Sequence, residues 1–201
     1  VKNFQRADIK IVIEHLEEKL SKWLLIEYKH SYNIAGERLL ITGIKIEGIP
    51  STEKRFNQIF NPSRIIILDP QAPEELKPED LIDIEALIIG GILGDHPPKG
   101  RTKSLLSDKF PEAKKRNIGD KQFPIDGAVY VANEVINGKR LKEIPYVYGL
   151  SIITKFKGAE REIVLPYAYP IINGRPLISE ELIKYLIKSE EYKINVNILS
   201  S

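Results

Sequence analysis

The chain has 201 residues, 42% apolar and 29% charged, with a net charge of +2. That suits one substantial domain with a full core rather than a polycationic nucleic-acid coat. It has no cysteine, which excludes disulfides, thiolate zinc sites, iron–sulfur clusters and cysteine nucleophiles.

Ile9 to Glu14 reads as a short buried strand. Ser21 is placed to cap a helix running to about Ala35, with Gly36 as its stop and Trp23, Leu24, Ile26 and Tyr28 on its buried face. Leu39 to Thr42 is a second strand, Thr52 to Phe60 a helix closed by Asn61-Pro62, and Arg64 to Leu68 a third strand that Asp69-Pro70 ends. Pro73 to Asp83, acidic and carrying two prolines, is a loop or short helix. Ala86 to Ile89 is a fourth strand, leading into Gly90-Gly91. Thr102 to Phe110 is helical, Asn117 to Gly119 a very short strand, and Ile125 to Ile136 a helix with Gly138 in the position of a left-handed cap. Tyr146 to Phe156 and Glu162 to Leu165 alternate around Lys157-Gly158 as a β-hairpin, and Ser179 caps a last helix to about Lys188. Short apolar strands separated by helices predict an α/β domain with a mainly parallel sheet. We expect one domain over 1–201, with the hairpin and last helix, about 144–201, as a C-terminal extension.

No apolar run approaches the roughly 20 residues that span a bilayer. Val1 to Lys10 alternates charge and apolarity, unlike a signal peptide. The expected setting is therefore cytoplasmic, without a membrane partner. Heavy use of Ile, Lys and Glu is a compositional mark of thermophiles.

Two loops carry the candidate chemistry. The first, Gly90 to Thr102, follows a buried strand, and ligands of open α/β sheets bind beyond the C-terminal strand ends. Its glycines let backbone approach a ligand, Pro97-Pro98 stiffens it, and Asp95, His96 and Arg101 supply polar groups. It lacks the Gly-Lys-Ser/Thr of a P-loop and the Gly-x-Gly start of a dinucleotide fingerprint. The second, Ile118 to Val129, is a strand, a loop and a helix start at Pro124, where the small Gly127 and Ala128 allow close approach of a backbone or a flat ligand. Three scattered histidines make a poor zinc set, and no Gly-x-Ser-x-Gly elbow exists.

Together these loops resemble one family. Gly91-Ile92-Leu93-Gly94-Asp95-His96-Pro97-Pro98 with Arg101-Thr102, and Ile118-Gly119 with Gln122 and Asp126 to Ala128, are similar to the SPOUT-class (α/β-knot) methyltransferases first described as predicted RNA methyltransferases. Ile13 to Glu18, Trp23, Glu27-Tyr28 and Glu143 to Tyr146 extend the likeness, which runs from about residue 10 to 170. Eukaryotic members of that family include a protein-arginine methyltransferase acting on a ribosomal protein. The resemblance implies helices on both faces of the sheet and a trefoil knot at its C-terminal edge. It implies S-adenosylmethionine as cofactor, no metal, and a ribosomal protein or RNA as partner, with a monomer or a knot-mediated homodimer. The cofactor walls would be Leu68 and Asp69, then Gly90, Gly91, Ile92, Leu93, Gly94, Asp95, His96 and Arg101. Ile118, Gly119, Gln122, Phe123, Ile125, Gly127 and Ala128 would complete them.

Methyl transfer to a guanidinium needs a group that removes a proton and holds the acceptor in line. Asp95, Glu14 and Asp126 are the candidate carboxylates, and His96 a candidate proton acceptor. The basic run Lys99, Arg101, Lys103, Lys109, Lys114, Lys115, Arg116 and Lys121 reads either as a phosphate-attracting surface or as a solvated face. A protein arginine is the leading acceptor, ribosomal or transfer RNA the second, and a non-catalytic ribosome-associated module with a blocked cofactor slot the third.

Overall fold

The computed structural model describes residues 8–94, 97, 99–188 and 191–199. Asp95 and His96 lie outside the described residues. Six strands form a parallel sheet: β1 (Lys10–His15), β2 (Leu39–Thr42), β3 (Ser51–Thr52), β4 (Ile65–Leu68), β5 (Ala86–Gly91) and β6 (Lys114–Arg116), in the order β3-β2-β1-β5-β4-β6. All five pairings are parallel. The central strands are apolar on both sides because both faces are covered. Ile11, Ile13, Ile66, Leu68, Leu87 and Ile89 face one cluster, while Val12, Ile65, Ile67, Ala86 and Ile88 face another.

On the first face lie α1 (Lys22–Ala35) and α3 (Ile125–Ile136), packed on each other. Ser21 caps α1 by accepting the Leu24 N–H at 3.1 Å, and Gly36 ends it at φ 55°. The opposite face is closed by Phe56 in a 3-10 turn and by Leu106 at the end of the short α2 (Arg101–Leu105). The C-terminal extension is a second, antiparallel sheet, β10-β7-β8-β9, of β7 (Tyr146–Phe156), β8 (Ala159–Ile172), β9 (Arg175–Pro176) and β10 (Tyr192–Val196). It shares an apolar cluster with α4 (Glu180–Ile187) and with Trp23 of α1.

Four expectations change, the first being the helix over Thr102 to Phe110, which is α only over Arg101–Leu105 and 3-10 over Ser107–Lys109. Thr52 to Phe60 is not a helix; only Phe56–Gln58 turns, as 3-10. The cause is tertiary: Arg55 Nη1 and the Phe56 N–H both reach the buried Glu14 carboxylate, at 2.9 and 3.1 Å. The strand expected at Asn117 to Gly119 lies earlier, at Lys114–Arg116, in register with Ile66 to Leu68. β8 is also far longer than Glu162 to Leu165, because it runs on past the hairpin to the loops of the first sheet.

Candidate active site

β1, β4, β5 and β6 are parallel, so the loops after them leave the same edge of the sheet. There they enclose a cavity of about 470 Å³, within the range of small-molecule sites. Leu68, Asp69, Pro70 and Gln71 supply one side, Ile89, Gly90, Ile92 to Gly94 and Lys99 to Thr102 the next, and Ile118 to Ile125 the third. α1 contributes Trp23 and Glu27, α3 contributes Ala128, and β8 contributes Tyr167.

The second sheet clasps these loops. Ala168 N donates to Gln122 O at 2.8 Å, and Tyr167 Oη donates to Gly94 O at 2.9 Å. Arg101 and Glu17 hold the middle loop from the other side. Arg101 Nη2 donates to Leu93 O at 2.6 Å and Nη1 to Glu17 Oε1 at 3.2 Å, while Leu93 N donates to the same Glu17 oxygen at 3.1 Å. Asp69 is buried, with Oδ2 accepting from Ser107 Oγ at 2.6 Å and Oδ1 from Gln71 N at 2.9 Å. A carboxylate has about four lone-pair sites, so it retains capacity toward the cavity.

Among the described residues of this wall, Glu27 is the acid whose pKa is raised. It is 4% exposed, and Trp23 Nε1 donates to its Oε1 at 2.9 Å. Burial, reinforced by the charge of Asp126, pushes its pKa up to about 8, against the opposing hydrogen bonds from Trp23 and the Ile125 N–H. A carboxyl that is neutral below that pH and ionised above it, lining a cavity, is suited to proton transfer.

Residues 10–193 match the model of the protein arginine N-methyltransferase SFM1-like family. The chain belongs to that family. It is 27% identical to protein arginine N-methyltransferase SFM1 of Saccharomyces cerevisiae, over 93% of this chain and 98% of the yeast protein. The fold matches the crystal structure of yeast SFM1 complexed with SAM at a TM-score of 0.76, with 27% identity and 90% of each chain covered. Dual-specific Trm10 from Thermococcus kodakaraensis shares the fold at a TM-score of 0.54 and 19% identity, covering 67% of this chain and 96% of that one. The family expected from the two loops is thus the one found, with the expected mainly parallel α/β fold.

Within this SFM1-like chain, the expected cofactor residues Leu68, Asp69, Gly90, Ile92, Leu93, Gly94, Arg101, Ile118, Gly119, Gln122, Phe123, Ile125 and Ala128 all line the cavity. Gly91 and Gly127 have other surroundings. A Cβ on Gly91 would collide with Tyr28 Oη and stand 2.8 Å from Glu14 O, so this glycine serves the approach of β5 to β1 and α1. A Cβ on Gly127 would meet Pro124 and Phe123, the loop leading into its own helix. Glu14 is directed away from the cavity into a cluster with Arg55, Thr42 and the Phe56 N–H. Asp126 is 2% exposed behind the wall, bound to His30 Nδ1 at 2.6 Å and to the Gly127 N–H at 2.9 Å. Glu27 and Trp23 were missed as site residues. The signal was an acidic residue in the buried register of α1, four positions after a tryptophan.

Proposed function

We propose that this chain is an S-adenosylmethionine-dependent methyltransferase whose acceptor is a protein arginine, on a ribosome-associated protein as the resemblance implies. The observation that carries it is the buried carboxyl of Glu27 on the wall of the cavity. A guanidinium must give up a proton as its nitrogen is methylated, and among the described residues Glu27 is the group on the wall suited to hold and deprotonate it.

The cavity fits the cofactor. Ile92, Leu93, Ile118, Phe123 and Ile125 offer apolar surface for an adenine, and Asp69 an acceptor for ribose hydroxyls. A Cβ on Gly119 would meet nothing within 4 Å, and one on Gly90 would find only ordinary contacts, so both leave space for backbone to approach a ligand. When bound, the cofactor supplies a methyl group on a sulfonium, which is left as a neutral thioether. Glu27 takes the guanidinium proton, so the product keeps one positive charge and the carboxyl becomes neutral. Trp23 and the Ile125 N–H fix the carboxyl's position. The open cavity argues against a non-catalytic module, for which a blocked slot is expected.

The surface favours protein over RNA. Arg101 is paired with Glu17, Arg116 with Asp80 and Glu74, and Lys121 with Asp120, while Lys115 Nζ donates to carbonyls. Much of the basic run is therefore neutralised locally and gives a poor phosphate track. We also read Asn117 to Pro124 as the threaded segment of a trefoil knot. This is supported by the bonds of Asn117 N to Glu74 O, Leu76 N to Asn117 O and Asn117 Nδ2 to Ala72 O, which tie it beneath the loop after β4.

Calorimetric titration with S-adenosylmethionine, followed by labelled methyl transfer to arginine-containing ribosomal proteins and to rRNA, tests the reading. Wild type is expected to bind and to label protein; Glu27→Gln is expected to bind and to lose transfer at least 100-fold. No binding by folded wild type refutes the cofactor assignment, and labelling of RNA alone refutes the acceptor.

A further inference from the structure

Asp126 and His30 form a cluster behind the cavity wall that methyl transfer does not itself require. Asp126 opens α3 and is almost fully buried, with both carboxylate oxygens held by N–H donors: Oδ2 by His30 Nδ1 and Oδ1 by Gly127 N. Glu27 accepts from the N–H of the neighbouring Ile125, so two carboxyls share one helix N-terminus. His30 follows Glu27 by three residues on α1, one turn along the same face, and its side chain is 17% exposed.

We propose that Asp126, held by His30, is a positioning residue whose fixed negative charge sets the pH range in which Glu27 accepts the proton of the acceptor. This rests on the role given to Glu27 above. A like charge beside a carboxyl favours its protonated form, and Asp126 is the chief charge acting on Glu27 after burial. The other titratable neighbours are Tyr28 and His30 on α1 and Tyr167 and Tyr169 on β8. Across the cavity stand Asp69, Lys99, Arg101, Asp120 and Lys121. Tyr28 and Tyr169 are themselves raised above the ordinary phenol range by burial, so they stay neutral through the working range. His30 ties the carboxylate of α3 to α1, which keeps the charge close to Glu27 rather than turned to solvent.

Trp23 is the single tryptophan of the chain and touches Glu27, so its fluorescence reports the ionisation of that carboxyl without any ligand. A pH titration of fluorescence is expected to inflect near 8 in wild type and to lose the inflection in Glu27→Gln. In Asp126→Asn the inflection is expected to fall by about one pH unit, a tenfold change in proton activity. In His30→Ala, which frees that carboxylate to turn to solvent, it is expected to fall as well, by less than in Asp126→Asn. The acid limb of kcat/KM for transfer to an arginine peptide is expected to move in the same directions. Unchanged inflections in Asp126→Asn, or a rise in His30→Ala, would overturn the proposal. The fluorescence test needs no transfer, so absence of activity in wild type would refute the functional reading separately.

Discussion

Replacing Glu27 with glutamine is expected to stabilise the protein in alkaline solution. The carboxyl rises from 4.5 to about 8 in the fold. At about 1.4 kcal/mol per pH unit, the fold prefers its neutral form by on the order of 5 kcal/mol. The unfolded chain releases this proton near 4.5 and the folded chain near 8. Between those values the folded state binds more protons, so the Glu27 contribution to stability is full below 4.5 and lost as pH rises to 8. Glutamine is neutral throughout and keeps an oxygen to accept from Trp23 Nε1, so the variant escapes this loss. Thermal unfolding followed by circular dichroism, at pH 5 and at pH 9, checks it. The two proteins are expected to differ little at pH 5. At pH 9 the variant is expected to melt roughly 10 °C or more above wild type, at about 2–4 °C per kcal/mol for a chain of this size. A difference of the same size at both pH values, or a variant less stable at pH 9, would refute the reasoning.

Gly91→Ala is expected to cost about 1–3 kcal/mol in urea unfolding, because its Cβ meets the Glu14 carbonyl at 2.8 Å and His15 Cα at 3.0 Å, both backbone. Gly90→Ala, whose nearest neighbour is Ile92 Cδ1 at 3.4 Å, is expected to stay within about 1 kcal/mol of wild type while weakening S-adenosylmethionine binding in calorimetry. Arg101→Lys removes the fork that holds Leu93 O and Glu17 together; cofactor affinity is expected to fall about tenfold with little change in melting temperature. Arg55→Ala leaves the carboxylate of Glu14, 3% exposed, without its cation. It is expected to cost about 2 kcal/mol of stability with cofactor affinity unchanged, separating Glu14 from the cavity.

The sheet was readable because its strands are buried on both faces and so appear as short runs of isoleucine and leucine closed by Asp-Pro or Gly-Gly. α1 was readable to the residue through Ser21 and Gly36. β6 was not: Lys114–Arg116 is an edge strand of three cations, and pairing with β4 alone makes it a strand. β10 escaped for a similar reason, since its residues are exposed or half-buried and only its partner β7 defines it. The cofactor loops carried a local signature of glycine, proline and charge, and the described part of that signature lines the cavity. Glu27 carried no such signature. Its meaning depends on α3 arriving from a hundred residues later to place the Ile125 N–H and Asp126 beside it. Yet the sequence did hold a conflict there, an acidic residue between Ile26 and Tyr28 in the apolar stripe of a helix. Such a residue lowers the stability of a purely structural helix, so a fold that keeps it buried has given it a partner or a task. Trp23 and Ile125 supply the partners, and the cavity in front of it supplies the task.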